Sequence, residues 1–89
     1  MWHEIAWTDE SEHHIARHDI TPADVHEVLQ GEPKLYRHGR ENTTLVFGST
    51  HSGRYLLVVL AEALDGRDYV VTARDMTAGE KKNFKQKGK

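Results

Sequence analysis

The spacing of apolar residues changes character near Lys34. Upstream of it, "WHEIAW" (residues 2–7) alternates apolar and polar side chains and predicts a short first strand. Asp9, with Glu12 three residues later, has the form of a capping box and predicts a helix over roughly residues 10–18. In "DITPADVHEVLQGEP" the start signal is fuller. Thr21 stands as N-cap, Pro22 at the first helical position, and Ile20 where it can staple onto Val25. Val25, Val28 and Leu29 make the apolar stripe, and Gly31 and Pro33 stop the helix.

Downstream, "KLYRH", "NTTLVFGST", "RYLLVVLAEAL" and "RDYVVTAR" are rich in β-branched and aromatic residues, and each intervening "GRE", "HSG" or "DG" carries a turn-forming glycine. This predicts an antiparallel four-stranded meander. Thr77 and Glu80 then form a T-x-x-E box for a last helix, which runs into a basic tail over residues 85–89 expected to fray. The order is β, α, α, β, β, β, β, α. It describes one α+β domain over residues 1–89, with two N-terminal helices packed on the meander.

Two-residue turns at Ser52-Gly53 and Asp65-Gly66 fix an expected register. They put Leu45, Phe47, Leu56, Val58, Leu60, Tyr69, Val71 and Ala73 on one face, towards the first two helices. Val46, Gly48, Tyr55, Leu57, Val59, Val70, Thr72 and Arg74 fall on the other. Arg54 and Arg74 start on opposite faces.

At 89 residues a single core is near the lower size limit, so a partner or a homodimer would help it. Charged residues form 29% of the chain, and no apolar run is long enough for a membrane span. The opening Met1-Trp2-His3-Glu4 lacks the basic start and apolar run of a secretory signal, and the chain has no cysteine. A soluble, cytoplasmic protein without disulfide or thiolate chemistry is expected.

The net charge of −2 hides an asymmetry. Residues 1–33 carry eight acids against Arg17, a balance of −7, whereas residues 34–89 carry eleven Lys/Arg against six acids, a balance of +5. A basic half can collect a polyanion, since neutralising phosphates releases counterions.

Several apparent motifs carry no chemistry. "GSTHSGRY" has a phosphate-loop glycine spacing, but Arg54 and Tyr55 replace the Lys and Ser/Thr, and a strand follows instead of a helix. His14 and His18, four apart, could share a metal, yet no third ligand is fixed by spacing, so no metal and no cofactor are expected. The serines lack a nucleophile-elbow context.

The positive candidates are cations of the second half. Arg54 opens the central strand, Arg74 closes the last one, and Lys81, Lys82, Lys85, Lys87 and Lys89 follow. A guanidinium can hold two phosphate oxygens and stays charged throughout. Arg74 can equally pair with Asp75 or Glu80 and lock the joint between strand and helix.

Taken in order, "HIARHDITPADVHEVLQGEP", "VFGSTHSGRYLLVVLAEA" and "YVVTARDMTAGEKKNF" resemble the BrnT family of bacterial toxins, within the RelE/ParE-like superfamily; the likeness covers roughly residues 2–84. By position, His18 matches the histidine of the family's "KHG" segment, with Arg17 for its lysine and Asp19 for its glycine. Gly48, Gly53 and Arg54 match its "G…GR" hairpin, Arg67 an arginine at the start of the last strand, and Ala73-Arg74 its "AR" signature. Glu80, Lys81 and Lys82 align with its "ERR" helix, and Phe84 replaces a common tyrosine.

The resemblance implies a RelE-like fold and a metal-independent endoribonuclease, neutralised by a ribbon-helix-helix antitoxin. Related toxins drive the ribose 2′-OH onto the adjacent phosphate. Arg74 is the first choice for holding that phosphate, then Arg54 and Lys81, with His51, Glu80 or a neutral lysine as proton acceptor. His51, Tyr55, Arg67, Lys82 and Lys85 are the expected RNA contacts. The alternative is a regulator of the same fold that binds an antitoxin or another partner without cutting RNA. An unpaired cation cluster around Tyr55, Thr72 and Arg74 favours RNA chemistry, and Arg74 tied into a buried ion pair favours scaffolding.

Overall fold

Two helices start on reciprocal hydrogen bonds and frame the first half of the chain. In the computed structural model, which describes residues 5–62 and 65–87, β1 (Ile5–Ala6) leads into α1 (Asp9–Ala16). The cap of α1 is Thr8, one residue ahead of the expected Asp9. Thr8 Oγ1 accepts from the Ser11 amide (3.0 Å) and Ser11 Oγ accepts from the Thr8 amide (2.9 Å). A hydroxyl serves where a carboxylate was expected, and it lets Ser11 lie buried under the helix at 3% exposure. Helix α1 stops at Ala16, so His14 and His18 do not share a helical face.

Helix α2 (Pro22–Gln30) follows its signals: Thr21 caps it, Pro22 opens it and Gly31 closes it. Asp24 completes the box by accepting from the Thr21 amide. Ile20 and Val25 are buried together, as a staple requires.

The strands β2 (Leu35–His38), β3 (Thr43–Ser49), β4 (Tyr55–Glu62) and β5 (Asp68–Asp75) form the meander, and α3 (Ala78–Lys87) ends it. Strand β1 joins as a fifth member, parallel to β5, so the sheet is mixed, in the order β1-β5-β4-β3-β2. The fold is α+β. Helix α3 continues to Lys87, past Lys85 where fraying was expected; the remaining tail, Gly88 and Lys89, lies outside the described residues. No helix among the described residues is long and apolar enough to cross a membrane.

The expected register holds for β4 and fails for β3. The last ladder pair of that hairpin is Ser49 with Tyr55, and Thr50 N donates to Arg54 O (2.9 Å), leaving a three-residue loop of His51, Ser52 and Gly53. Gly53 takes φ +89°, the left-handed position that such a loop needs. One added loop residue turns the whole of β3 over. Val46, not Leu45 or Phe47, therefore faces α1 and α2 together with Leu56, Val58, Leu60 and Ala73. Gly48 shares this face, where an added Cβ would stand 3.0 Å from Val28 Cγ1.

In β5 the pairing slips by one between Val59 and Leu60, so that Thr72 faces Val59 and Val70 faces Leu60. Val71 is the unpaired extra residue and is 36% exposed. Val70, not Val71 or Tyr69, enters the core. The bulge restores the expected phase at Ala73 and Arg74, so Arg74 keeps its place on the opposite face.

That opposite face carries a second cluster, in which Phe84 of α3 packs with Phe47, Leu57 and Met76. The molecule is thus layered: α1 and α2, the sheet, then α3. Each large apolar side chain buried this way contributes about 1.5–3 kcal/mol.

Candidate functional site

One end of the sheet gathers the α1–α2 turn, the β3–β4 loop, the end of β5 and the start of α3. Adjacent residues of β5 point to opposite faces, so Arg74 and Asp75 are sent to different partners. Asp75 turns to the helical side and meets Arg54, while Arg74 turns to the α3 side and meets Glu80.

Arg54 is built into the fold. Its Nε and Nη2 donate to Asp75 Oδ1 (2.8 Å) and Oδ2 (3.0 Å). Nη2 also donates to the His18 carbonyl (2.6 Å), and Nη1 to the Asp19 carbonyl (2.5 Å). Four of its five protons thus have acceptors. Together they pin the α1–α2 turn to the end of the sheet. Asp19 stands there at φ 59°, a left-handed conformation that glycine adopts freely and Asp tolerates better than most residues. That is why aspartate can stand where the resembled family has glycine.

The Arg54 hydrogen bonds hold the Asp75 carboxyl below its ordinary pKa, and Lys81 and His18 nearby lower it further. The same hydrogen bond raises the Arg54 guanidinium above its usual value. His18 and Lys81 are therefore electrostatic neighbours of Asp75.

Arg74 is engaged on one side only. Its Nη1 and Nη2 donate to Glu80 Oε1 (2.8 Å) and Oε2 (3.0 Å), and Nη1 also reaches the Asp75 carbonyl (3.0 Å). Glu80 also accepts from the Thr77 amide (2.8 Å), while its own amide donates to Thr77 Oγ1 (3.2 Å), completing the T-x-x-E box. One carboxylate thus caps α3 and aligns the arginine. Hydrogen bonding from Arg74, ahead of that from Thr77, pulls the Glu80 carboxyl down to about 2.

The other edge of the Arg74 guanidinium, Nε–H with the second Nη2 proton, meets no acceptor among the described residues. The side chain is 38% exposed. This edge is a two-proton fork of the kind that holds a carboxylate or phosphate.

On the same face Tyr55 packs edge-on to Phe84 with centroids 5.9 Å apart, and Lys85 Nζ lies 5.1 Å over the Tyr55 ring. Phe84 is 4% exposed, so a ring without hydroxyl suits its place, and Tyr55 supplies the phenol in this corner. Lys81 and Lys82 are exposed on α3.

Other expected site residues lie elsewhere. Arg67 is bound to Asp65 (Nε to Oδ2, 2.7 Å) in the β4–β5 connection, about 20 Å from Arg74 along β5. His51 is tethered towards α2, its amide donating to Glu27 Oε1 (2.9 Å). The structure thus pairs Arg74 with Glu80 and Tyr55 with Lys85 on the α3 side, sets Lys81 near Asp75, and places Arg54, His51 and Arg67 with other partners. Among the described residues no group of three or more His, Asp or Glu side chains is placed to hold a metal. No family model matches the chain, and no curated protein matches it.

The assignment of Asp75 to Arg54 had a signal in the sequence. Residues 74 and 75 of one strand cannot share a face. The bonds from Arg54 to the His18 and Asp19 carbonyls had none, because they join residues 35 and 36 apart in sequence through main-chain atoms.

Proposed function

We propose that this chain is a RelE-like toxin of a type II toxin–antitoxin pair, cutting RNA without a metal by directing a ribose 2′-OH onto the adjacent phosphate. The observation that supports this reading is the open Nε–Nη2 edge of Arg74, aimed by Glu80 on the sheet face that also carries Tyr55 with Lys85 over its ring. Two parallel N–H donors fit two phosphate oxygens. A fork already held in place needs no reorganisation as negative charge builds on those oxygens. The Tyr55 ring offers a stacking surface for a base, and Lys81, Lys82 and Lys85 add long-range attraction.

The roles shift from the sequence expectation in two places. Arg54 organises the turn and does not hold the phosphate. Glu80 aligns Arg74 and is no proton acceptor, because a carboxylate with a pKa of about 2 is too weak a base at neutral pH. The imidazoles at this end, His18 near Asp75 and His51 against Glu27, lie on the helical side with Arg54 and not beside the Arg74 edge, so a 2′-OH held there would need its proton acceptor from elsewhere.

A second reading, a non-catalytic regulator that binds a ribbon-helix-helix antitoxin or another partner, is favoured by the same ion pairs. Arg54 and Glu80 are both engaged in holding the fold, which leaves one guanidinium edge and surface lysines. The deciding experiment follows single-stranded RNA in EDTA, with binding measured in parallel, for the native chain and Arg74→Ala. Cleavage to 2′,3′-cyclic phosphate ends that Arg74→Ala abolishes supports the ribonuclease. Binding without cleavage supports the regulator, and neither binding nor cleavage sinks the RNA reading.

A further inference from the structure

Helix α3 covers only half of the outer sheet face. The row that Phe84 closes holds Phe47, Leu57 and Arg74. The next row, Leu45, Val59 and Thr72 with Arg37 at its β2 end, is half-buried to exposed, and so is the row of Thr43, Ala61 and Tyr69 beyond it. Rows on one face are about 7 Å apart, so Tyr69 stands about 14 Å along β5 from Arg74, with Thr72 between them. The cross-strand neighbours of Tyr69 are both alanines, Ala6 of β1 and Ala61 of β4. Side chains that small cannot wall in a phenol ring.

The strand charges on this face have one sign. Alternation turns Glu62, Asp68 and Asp75 to the helical side, in step with the core residues Leu60, Val70 and Ala73. Among the described residues, no strand position on the outer face is acidic; the face carries Arg37 and Arg74. Arg67, beyond Tyr69, is already matched by Asp65. An apolar floor with one open aromatic ring, bordered by arginines and free of carboxylates, suits the bases and phosphates of a single strand. A duplex, whose bases are already paired and stacked, has none to lay on it.

We propose that the open rows are a second base subsite: RNA whose phosphate lies in the Arg74 fork continues along β5 and stacks a base on Tyr69, with Val59 and Leu45 as the floor beside it. This rests on the RNA reading and extends it to a residue outside the Arg74 corner. The substrate it calls for is longer than the two nucleotides at the cut and unpaired on the side that runs over the sheet. Tyr69 is then a residue that selects substrate, and Arg74 the one that holds the phosphate.

The probe is a single-stranded RNA of about six nucleotides, 2′-O-methylated so that it is not cut. Affinity and amide shifts of the 15N-labelled full chain are measured for the native protein, Tyr69→Ala and Tyr69→Phe, and the same sequence is offered as a duplex. The expected result is that the single strand moves amides of residues 59–61 and 69–72 together with 74. Tyr69 lies outside both buried clusters, so its replacement leaves the core in place. Tyr69→Ala should weaken binding about 5- to 150-fold, the loss of one stacked base, while Tyr69→Phe should stay within about twofold. An abasic position moved along the probe should weaken native binding at one place and make no difference there to Tyr69→Ala. Equal binding by the native chain and Tyr69→Ala, with shifts confined to the Arg74 and Tyr55 corner, overturns the subsite and leaves the RNA reading standing. A duplex bound as tightly as the single strand overturns it too, as does a dimer of the free chain that buries these rows. No binding of the single strand to the native chain sinks both the subsite and the RNA reading.

Discussion

Arg54 and Arg74 stand at the same end of the same sheet, one strand apart, and each meets a carboxylate through two hydrogen bonds. They differ in what the rest of the guanidinium does. Arg54 turns its remaining donors onto two main-chain carbonyls of the α1–α2 turn, while Arg74 leaves the Nε edge open at the surface. The difference comes from strand alternation alone. Arg54 lies on the side where a connecting turn lies within reach, and Arg74 on the side where only a helix start does. An arginine whose carboxylate partner occupies one edge is pre-aimed for an anion, whereas one with four satisfied protons is a cross-brace.

The largest effect that separates the two is on rate. Arg74→Ala should lower RNA cleavage by roughly 10²- to 10³-fold, as loss of a pre-aimed donor does elsewhere, while Arg54→Ala, assayed where it remains folded, should stay within about tenfold of the native chain. If Arg54→Ala is the more damaging of the two in that assay, the roles are reversed.

Stability should rank them the other way. Arg54→Ala frees the turn and should cost about 1–2 kcal/mol in urea denaturation, against less than about 1 kcal/mol for Arg74→Ala, whose ion pair is partly screened by solvent. A larger loss for Arg74→Ala would make its pair with Glu80 the brace.

Glu80→Gln tests the clamp through pH. The Glu80 carboxyl is depressed in the folded chain from 4.5 to about 2, so its contribution is full above about pH 4.5 and is lost as the pH falls towards 2. Asp75, depressed by Arg54, has the same sign. Acid titration of stability should therefore show a shallower fall for Glu80→Gln than for the native chain, with about 1 kcal/mol less stability at neutral pH from the weakened cap and pair. Identical acid limbs would mean that Glu80 is not clamped.

Smallest is the turn that Arg54 braces. Asp19→Gly relieves a left-handed residue and should raise stability by about 0.5–1 kcal/mol, read as a higher urea midpoint.

Much of this arrangement was legible because it is local. The Thr21–Pro22 start, the Thr77–Glu80 box and the element order all rest on neighbours within a few residues, where propensity and capping operate. The faces of β3 were not, because they turn on whether the hairpin holds two residues or three. "THSGR" is compatible with both until Thr50 pairs with Arg54. The Val71 bulge left no mark either, since valine suits a strand in or out of register. At the site, the alternation of Arg74 and Asp75 was readable and the Glu80 partner was one of two that the spacing allowed. The engagement of Arg54 depended on a turn more than thirty residues away. Arg67 was placed near the site by resemblance, yet strand length puts it at the other end.

Nitrogen-15 spectra of the arginine side chains address the open edge directly. The Nε protons of Arg54 and Arg67 are already bonded to Asp75 and Asp65, whereas that of Arg74 meets no acceptor among the described residues. Titration with a short RNA carrying 2′-O-methyl groups, which cannot be cut, should move the Arg74 Nε–H resonance downfield to saturation, leave those of Arg54 and Arg67 in place, and lose that signal in Arg74→Lys. An Arg54 resonance that shifts while Arg74 stays still would contradict the account.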